Sequence, residues 1–411
     1  MRGTDCTATV GTGGVLTRGV FSLAGGEPTC SKESMNTPVA HMFVCALLCG
    51  PVVATAQAPA RWTIDPAPVV TIGASEADTN DLLTAVVGAV RLPDGRMLVG
   101  DHGDFALRLF SAAGKPLRRL ARSGSGPGEV RYLTRMLRCG DSVVTMDADG
   151  ARVSVFSLDG VYARTFRLAS PQPGRSAYAS VCNRSGTFAH HGWENLTDVK
   201  AGPYRASVPF WLSGTDSAVR RVVGSYPGSE RYGYVRPGGG GGTAGPLPLG
   251  KQPAIALASD RLYIGLADRY EIMAFDLSGK QVSTIRKSVP NLETTSDDIE
   301  YAIDKEVAGR GPEIRARIER RYGEMQLPKT IPAYAALKVD ARENLWVQDY
   351  PRTKSPVVQW TVFDPRGREI AAVALPVHLE AYEIGDDYVL GRFMDPEESI
   401  PQVRLYRLHR R

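Results

Sequence analysis

The sequence predicts an all-β fold, because one strand pattern recurs along most of its 411 residues. In five places an alternating apolar strand ends in a phenylalanine, and a glycine stands four positions later: Phe110 and Gly114, Phe156 and Gly160, Phe210 and Gly214, Phe275 and Gly279, Phe363 and Gly367. Tyr406 supplies a sixth aromatic residue near the end of the sequence. Self-similarity at about 40–50 residues, with strands throughout, indicates a β-propeller.

Each repeat unit predicts four antiparallel strands. In the first two units, Asp101 and Asp147 both stand nine residues before the phenylalanine, and the two aspartates are 46 residues apart. Alternating apolar and polar residues, with glycine, aspartate, asparagine and proline at the breaks, are typical of such strands. The units predict a six-bladed propeller with blades at residues 84–120, 131–168, 176–224, 252–288, 333–375 and 379–408.

The two ends of the repeat region are complementary. The sixth unit has three strands, whereas a strand-like segment at residues 62–72 precedes the first unit. We expect this N-terminal strand to pair with residues 402–408 and so complete the last blade. Closure of this kind leaves no open sheet edge in the ring.

Two segments resemble a known repeat family. Residues 101–114, with Asp-His-Gly-Asp followed by Leu-Arg-Leu-Phe and a glycine, resemble an NHL repeat, and the glycine-rich residues 124–130 resemble the link between NHL blades. The chain after residue 58 is similar to the bacterial six-bladed propellers of the NHL and TolB-like group. The resemblance is close in blades 1 and 2 and partial in blades 4 and 5. It implies the fold and no particular chemistry, since one fold hosts many functions.

The N-terminal region predicts export. Residues 42–54 are an apolar run, shorter than the roughly 20 residues that cross a bilayer. The small residues 54–58 follow, so we interpret about 35–58 as a signal peptide. Residues 1–34 lack a strand pattern and are interpreted as a start-site artefact, with Met35 as the true start, or as a long precursor. Removal of residues 1–58 leaves one propeller, residues 59–411, in the periplasm or outside the cell and without stable membrane insertion.

Of the six cysteines, Cys139 and Cys182 lie after residue 58. Each follows a first strand and precedes a turn, so they occupy matching positions in neighbouring blades. An oxidising compartment would allow a disulfide between them. The alternative is two buried free thiols.

Charge narrows the class of partner. The formal net charge is +5, and the basic residues are scattered. A nucleic-acid-binding protein would show a basic stripe with interleaved aromatic residues. We therefore expect no nucleic acid, and instead a small ligand or an envelope protein as the partner of a monomer.

The loops that join the second and third strands share one face, the mouth face, with the links between blades. Asp101, Asp147, Asp268 and Asp349 recur in register there, which predicts that they cap loops by accepting bonds from backbone N–H groups. Residues that do not recur are the better ligand-binding candidates: His102, Arg122, His190, His191, Arg269, Arg352 and Arg392. The opposite face carries tight turns, such as residues 93–95, and offers little to bind with.

No catalytic residue, metal or cofactor is predicted. His190 and His191 are adjacent on a strand and point to opposite faces, so they cannot both ligate one zinc ion. We expect the first strands to be small and apolar and to lack the carboxylates of a calcium site. Residues 124–128 are glycine-rich but lack the Lys-Ser/Thr of a phosphate-binding loop.

Two insertions belong to the mouth face. Residues 237–250 contain five consecutive glycines and are expected to be mobile. Residues 295–325, between blades 4 and 5, change to helical periodicity: Thr295 to Asp298 resembles a capping box, and Pro312 begins a second helix. This helical hairpin is interpreted as a lid over the mouth or as a decoration packed on one blade.

These observations favour an exported propeller that binds a ligand or protein partner on its mouth face, without catalysis. The alternative is a propeller enzyme, a hydrolase or lyase, with a polar site at the channel mouth under the helical lid. A third interpretation is an assembly scaffold of the cell envelope.

Overall fold

The computed structural model describes residues 59–73, 82–147, 152–173, 177, 181–192, 199–216, 218–236, 242–289, 292–308, 310–352, 354–394 and 400–411. The signal peptide and the start site predicted within residues 1–58 lie outside this range, as do four of the five consecutive glycines. None of the helices in the described ranges is long and apolar enough to cross a bilayer.

The described residues are mostly strands, arranged in small sheets. The chain begins with two short strands, β1 (Ala60–Ile64) and β2 (Val70–Ile72). The first four-stranded antiparallel sheet then follows as β3 (Val86–Arg91), β4 (Met97–Asp101), β5 (Ala106–Phe110) and β6 (Pro116–Ala121). The second sheet consists of β7 (Leu133–Cys139), β8 (Ser142–Asp147), β9 (Arg152–Ser157) and β10 (Tyr162–Arg167).

The third sheet has five strands: β11 (Val181–Cys182), β12 (Phe188–His191), β13 (Gly202–Ser213), β14 (Val219–Val235) and β15 (Gly242–Pro246). Its strands β13 and β14 form a long hairpin, and β15 pairs with β14 from Val235 with Gly242 to Arg231 with Pro246. The expectation of a mobile segment at 237–250 is therefore wrong for residues 242–246, because their backbone groups pair with a neighbouring strand.

The fourth sheet consists of β16 (Ala254–Leu257), β17 (Arg261–Gly265), β18 (Glu271–Asp276) and β19 (Gln281–Arg286). Two helices follow it in the chain, α1 (Ser296–Val307) and α2 (Pro312–Glu324). The remaining strands are β20 (Tyr334–Val339), β21 (Leu345–Asp349), β22 (Val357–Phe363), β23 (Glu369–Pro376), β24 (Leu379–Ile384), β25 (Tyr388–Met394) and β26 (Pro401–His409).

The N-terminal strands join the last two groups of strands. Strand β2 pairs with β26 from Val70 with Leu405 to Ile72 with Val403, and the end of β1 pairs with β26 through Ile64 and Leu408. The pairing of residues 62–72 with the C-terminal strand is therefore present. The start of β1 also pairs in parallel with β23, which the sequence does not predict. One nine-stranded sheet results.

Apolar clusters lie between consecutive groups of strands around the molecule. They pack β3–β6 against β7–β10, that sheet against the third, the third against the fourth, the fourth against β20–β23, β20–β23 against β24–β26, and β24–β26 against β3–β6. The phenylalanines of the repeat are all buried in these clusters. Small antiparallel sheets packed face to face in this succession form a propeller-like fold.

In four of the five units, the backbone conformation explains why the repeat has a glycine at this position. Gly114, Gly160, Gly279 and Gly367 have φ of 81°, 76°, 84° and 80° at the turn before the fourth strand. A residue that carries a side chain rarely adopts this left-handed backbone conformation, so glycine is favoured there. Gly214 of the third sheet is not among the positive-φ glycines, and that unit is also the one with the extended hairpin.

Candidate functional site

A cavity of about 510 Å³ lies between the two helices and the ends of β20 and β21; we call it the mouth pocket. Its lining includes Leu249, Tyr301, Tyr322, Ala335, Gln348, Tyr350 and His378. Pockets that hold small molecules have volumes of about 300–1,000 Å³ and mostly apolar and aromatic walls. The mouth pocket has both properties.

The sequence of residues 295–325 explains the two helices that line the mouth pocket, which together we call the helical roof. The Thr295 hydroxyl accepts a bond from the Asp298 backbone N–H, and the Asp298 carboxylate accepts one from the Thr295 backbone N–H at 2.9 Å, so the predicted capping box is formed. Pro312 occupies the first turn of α2, where its missing N–H costs nothing. Ile303, Ile318 and Tyr322 are buried between the helices and form a small core of their own.

Arg352, a predicted ligand-binding residue, fastens this roof to the loop after β21. Its Nε and Nη2 atoms donate to the two carboxylate oxygens of Asp298 at 2.9 and 2.8 Å, and Nη2 also donates to the Glu293 carbonyl at 3.1 Å. Lys354 makes a second ion pair, at 2.5 Å, with Asp304 of α1. Through Asp298 in the first turn of α1 and Glu293 just before the helix, Arg352 thus attaches the hairpin to the loop after β21.

The Asp298 carboxylate is 2% exposed. Its burial acts to raise the pKa, but the hydrogen bonds from Arg352 and Thr295 outweigh burial and hold the pKa of Asp298 below its usual value of 3.8. The ion pair with Arg352 is therefore complete at neutral pH.

The tyrosines of the pocket present protonated hydroxyl groups. Burial, with smaller effects of the charges on Asp298 and Tyr301, raises the pKa of Tyr350 to about 12. Burial also raises the pKa of Tyr301, and burial with the adjacent Glu306 raises that of Tyr322. The Tyr322 hydroxyl donates to Glu306 at 3.2 Å. These tyrosines and His378 line the pocket but were not among the residues predicted from the sequence to bind a ligand.

The recurring aspartates divide into two groups. The buried Asp101 carboxylate accepts bonds from the backbone N–H groups of Thr84 at 3.0 Å and Ala85 at 2.8 Å, and Asp147 accepts from that of Arg131 at 2.8 Å. Both cap a loop, as the repeat predicts. Asp268 instead pairs with Arg205 at 2.8 Å. Burial raises the pKa of Asp349 above its usual value, although the charge of the nearby Lys287 opposes this effect.

Of the three candidate histidines, His102 follows β4 in the first sheet, whereas His190 and His191 are adjacent on β12 of the third sheet, and all three make packing contacts. The Nδ1 atom of His102 is 2.7 Å from the Leu133 carbonyl, and the ring packs edge-on against Phe105 and Tyr132. His190 is 1% exposed, its Nε2 is 2.7 Å from the Ser213 hydroxyl, and its ring stacks on Trp211. The Nδ1 atom of His191 is 3.2 Å from the Gly192 carbonyl.

Two of the candidate arginines are on the surface. The side chain of Arg122 is 80% exposed and its Nε donates to Glu129 at 3.0 Å. Arg269 is exposed in the loop between β17 and β18. Neither arginine lines the mouth pocket or the second cavity, described next.

The second cavity, the channel cavity, has a volume of about 670 Å³. The first strands of the sheets, β3, β7, β11, β16, β20 and β24, form its walls, and it extends to turns on the face opposite the mouth, among them those at Asp141 and Asp386. That face therefore offers more than tight turns. Arg392 lies in this cavity, where its Nη2 contacts Glu380 at 2.7 Å and its Nη1 donates to the Val86 carbonyl at 3.3 Å.

The expectation that the first strands are small and apolar is wrong, because charged side chains of these strands line the channel cavity. Arg135 of β7, Lys338 of β20 and Glu380 of β24 all line the channel cavity. Solvent in the cavity reaches the Arg135 side chain, yet the surrounding walls lower its pKa by desolvation, an effect that Glu380 opposes. Within the described residues, no group of three or more His, Cys, Asp and Glu side chains is arranged to hold a metal ion.

Cys139 at the end of β7 and Cys182 at the end of β11 are joined by a disulfide, with their Cα atoms 5.2 Å apart. The bridge links the second and third sheets at the turns between first and second strands. It lies close to the channel cavity, which Cys182 lines.

No protein-family model and no curated protein matches this chain. Similar solved structures include a candidate exported protein of Bacteroides fragilis, at 13% identity and a TM-score of 0.44 over 85% of this chain and 94% of the other. A DUF4221-family member from Bacteroides vulgatus has 10% identity and a TM-score of 0.46 over 85% and 98% of the two chains. Virginiamycin B lyase from Staphylococcus aureus has 11% identity and a TM-score of 0.35 over 79% and 95%. Likenesses at this level carry no inference about this chain.

Proposed function

We propose that the protein is an exported, monomeric six-bladed β-propeller of the NHL and TolB-like type that binds a small molecule in the mouth pocket without catalysing a reaction. The observation that carries this proposal is the largely apolar pocket of about 510 Å³ that the two helices line. The cleavable signal peptide read from residues 35–58 supports export to the periplasm or beyond.

The pocket walls favour an amphipathic ligand with a flat apolar body. Tyr301, Tyr322 and Tyr350 supply ring faces and neutral hydroxyl groups, and Lys305 stands exposed at the edge of the same pocket. Aromatic walls bind flat apolar groups, and a few polar groups fix their orientation. A ligand with one anionic group could place that group near Lys305.

The tyrosines of the mouth pocket are unsuited to act as the general base that the enzyme alternative needs. A hydrolase or lyase needs a general base whose pKa lies near the working pH. The pKa of Tyr350 is about 12, and those of Tyr301 and Tyr322 are raised as well. These hydroxyl groups are suited to donating hydrogen bonds to a ligand.

The proposal can be tested by filling the mouth pocket with a larger side chain. Ala335 is exposed on the pocket wall at the start of β20, so Ala335→Trp inserts an indole into the pocket. Anilinonaphthalene sulfonate, a flat apolar anion, should bind the unaltered protein at one saturable site, and Ala335→Trp should weaken this binding at least tenfold.

The matched control is Ala113→Trp, an exposed position in the turn between β5 and β6. It should bind the probe like the unaltered protein. Equal binding by both tryptophan variants and the unaltered protein would reject the mouth pocket as the ligand site.

A further inference from the structure

The mouth pocket has two walls whose polar groups differ in kind. The helix wall carries the charged groups, those of Lys305 and Glu306 on α1. The sheet wall includes the ends of β20 and β21 and the turn between β23 and β24, and it carries the neutral side chains of Gln348 and His378. The chemistry of these two walls limits which polar group a ligand can bring into the pocket.

The charges of the helix wall are already compensated. The Glu306 carboxylate accepts bonds from Nη2 of Arg321 at 2.6 and 2.5 Å and from the Tyr322 hydroxyl at 3.2 Å. Lys305 is exposed at the pocket edge, where water solvates its ammonium group. Neither charge therefore requires an ionic partner on the ligand.

Strand alternation places Gln348 on the sheet wall. Trp346, two residues earlier on β21, is buried in the apolar cluster between β20–β23 and β24–β26. Side chains two residues apart on a strand point to the same face of the sheet. Gln348 therefore lies on the face that carries Trp346, where it is half-buried and lines the mouth pocket.

His378 reaches the same wall from the turn between β23 and β24. Its backbone carbonyl accepts a bond from the Met394 N–H at 3.1 Å, and its ring packs edge-on against Phe393, with the centroids 6.1 Å apart. In the part of the chain that the structure describes, neither the ring nitrogens of His378 nor the side-chain amide of Gln348 forms a hydrogen bond with another residue. Both groups can therefore bond to a ligand.

Both groups can donate and accept hydrogen bonds. A glutamine amide has two N–H donors and a carbonyl acceptor, and an imidazole in its neutral form has one donor and one acceptor. A carboxylate on the ligand could only accept, and it would leave the acceptor atoms of Gln348 and His378 without donors. Leaving a polar group without a partner in a partly desolvated pocket costs free energy. An amide avoids this cost, because it offers an N–H and a C=O together.

We infer that Gln348 and His378 select the polar group of the ligand, and that this group is a neutral amide, either a primary carboxamide or a peptide group. The amide lies against the sheet wall, and the flat apolar body that carries it packs on the tyrosine rings. Both statements rest on the proposed function, since they concern the ligand of the same pocket.

Equilibrium dialysis of the full exported chain against naphthamide and against naphthoate of the same isomer tests this selection. The two compounds share one flat apolar body and differ in their polar group alone. The unaltered protein should bind the amide about fivefold more tightly, the effect expected of one or two neutral hydrogen bonds. N-methylnaphthamide, measured in parallel, distinguishes a primary carboxamide from a peptide-like secondary amide.

Gln348→Leu keeps the approximate size of the side chain and removes its amide. It should bind naphthamide about fivefold more weakly and lose the preference over naphthoate. Gln359→Leu makes the same change at an exposed position of β22 outside the pocket, and it should behave like the unaltered protein. His378→Leu, at an exposed turn position, should also weaken naphthamide binding and provides a second variant if Gln348→Leu folds poorly.

Equal binding of naphthamide and naphthoate by the unaltered protein, or no binding of the amide, would overturn the inference. Retention of the amide preference by Gln348→Leu would do the same. The proposed function would survive these results if anilinonaphthalene sulfonate still bound the unaltered protein saturably and Ala335→Trp weakened that binding. Failure of all three aromatic compounds to bind would reject the inference and the proposed function together.

Discussion

The cysteines show how a single pair of residues can fix two neighbouring sheets. Cys139 and Cys182 end the first strands of consecutive sheets, and their sequence separation is 43 residues. Closing a loop of this length by a disulfide restricts the unfolded chain, and the entropy model gives roughly 3–4 kcal/mol for it. The same covalent link holds the wall of the channel cavity, since Cys182 lines that cavity.

We therefore expect no free thiol in the native exported protein. Alkylation of the protein unfolded without reductant should label neither Cys139 nor Cys182, and reductant should expose both. The double variant Cys139→Ser, Cys182→Ser should lower the free energy of unfolding by about 3 kcal/mol in denaturant titration. Two labelled thiols without reductant would show instead that the residues are buried free cysteines.

At the scale of elements, the helical hairpin is an insertion with its own small core and a polar attachment. Ile303, Ile318 and Tyr322 pack the helices together, while Asp298 with Arg352 and Asp304 with Lys354 attach them to the loop after β21. A hairpin held largely by ion pairs can open locally without unfolding the sheets. Such an opening would admit a ligand to the mouth pocket.

The attachment should weaken in acid. The pKa of Asp298 is lowered in the folded protein, so its contribution is present above the ordinary value of 3.8 and is lost as the pH falls through the lowered pKa. Pepsin should cleave within residues 296–324 increasingly from about pH 4 downward. Asp298→Asn should be cleaved readily at pH 4.5, whereas Asp297→Asn, at an exposed neighbour, should behave like the unaltered chain. Identical cleavage of the two variants would contradict the attachment.

At the scale of the whole molecule, the N-terminal strands hold the end of the chain to its last two groups of strands. Trp62 of β1 is 9% exposed, its ring lies 5.9 Å from that of Trp346, and the Arg410 guanidinium stands 4.7 Å from its centroid. Arg410 in turn pairs with the buried Asp340 at 2.7 Å. Both ends of the described propeller therefore meet at Trp62.

Removing this contact should destabilise the molecule as a unit. Trp62→Ala should lower the free energy of unfolding by about 3–5 kcal/mol, as is usual for a buried tryptophan. Thr63→Ala, at the exposed neighbouring position on β1, is the control and should change it by less than about 0.5 kcal/mol. Denaturant unfolding followed by circular dichroism measures both. A Trp62→Ala variant as stable as the control would mean that β1 does not contribute to closure.

Strand periodicity made the β architecture predictable, because apolar residues at alternate positions and glycines at turns determine the local backbone structure. The pairing of β2 with β26 followed from two incomplete ends, and the capping box from four adjacent residues. The parallel pairing of β1 with β23 was not predictable, because backbone pairing across the ring leaves no local pattern. Arg352 was predicted to bind a ligand, and its ion pair with Asp298 was not predicted, because the partner lies on a distant helix and one sequence does not reveal such partners. The positions of Lys338 and Glu380 on the wall of the channel cavity were missed for the same reason.

The proposed function requires that a ligand binds in the mouth pocket. Amide hydrogen exchange of the unaltered protein, with and without anilinonaphthalene sulfonate, tests it most directly. We expect slower exchange in α1, in α2 and at residues 345–352 when the probe is bound, because these segments surround the pocket. Slower exchange confined to the turns at 93–95, 140–141 and 385–386 on the opposite face, or no change in the helices, would contradict it.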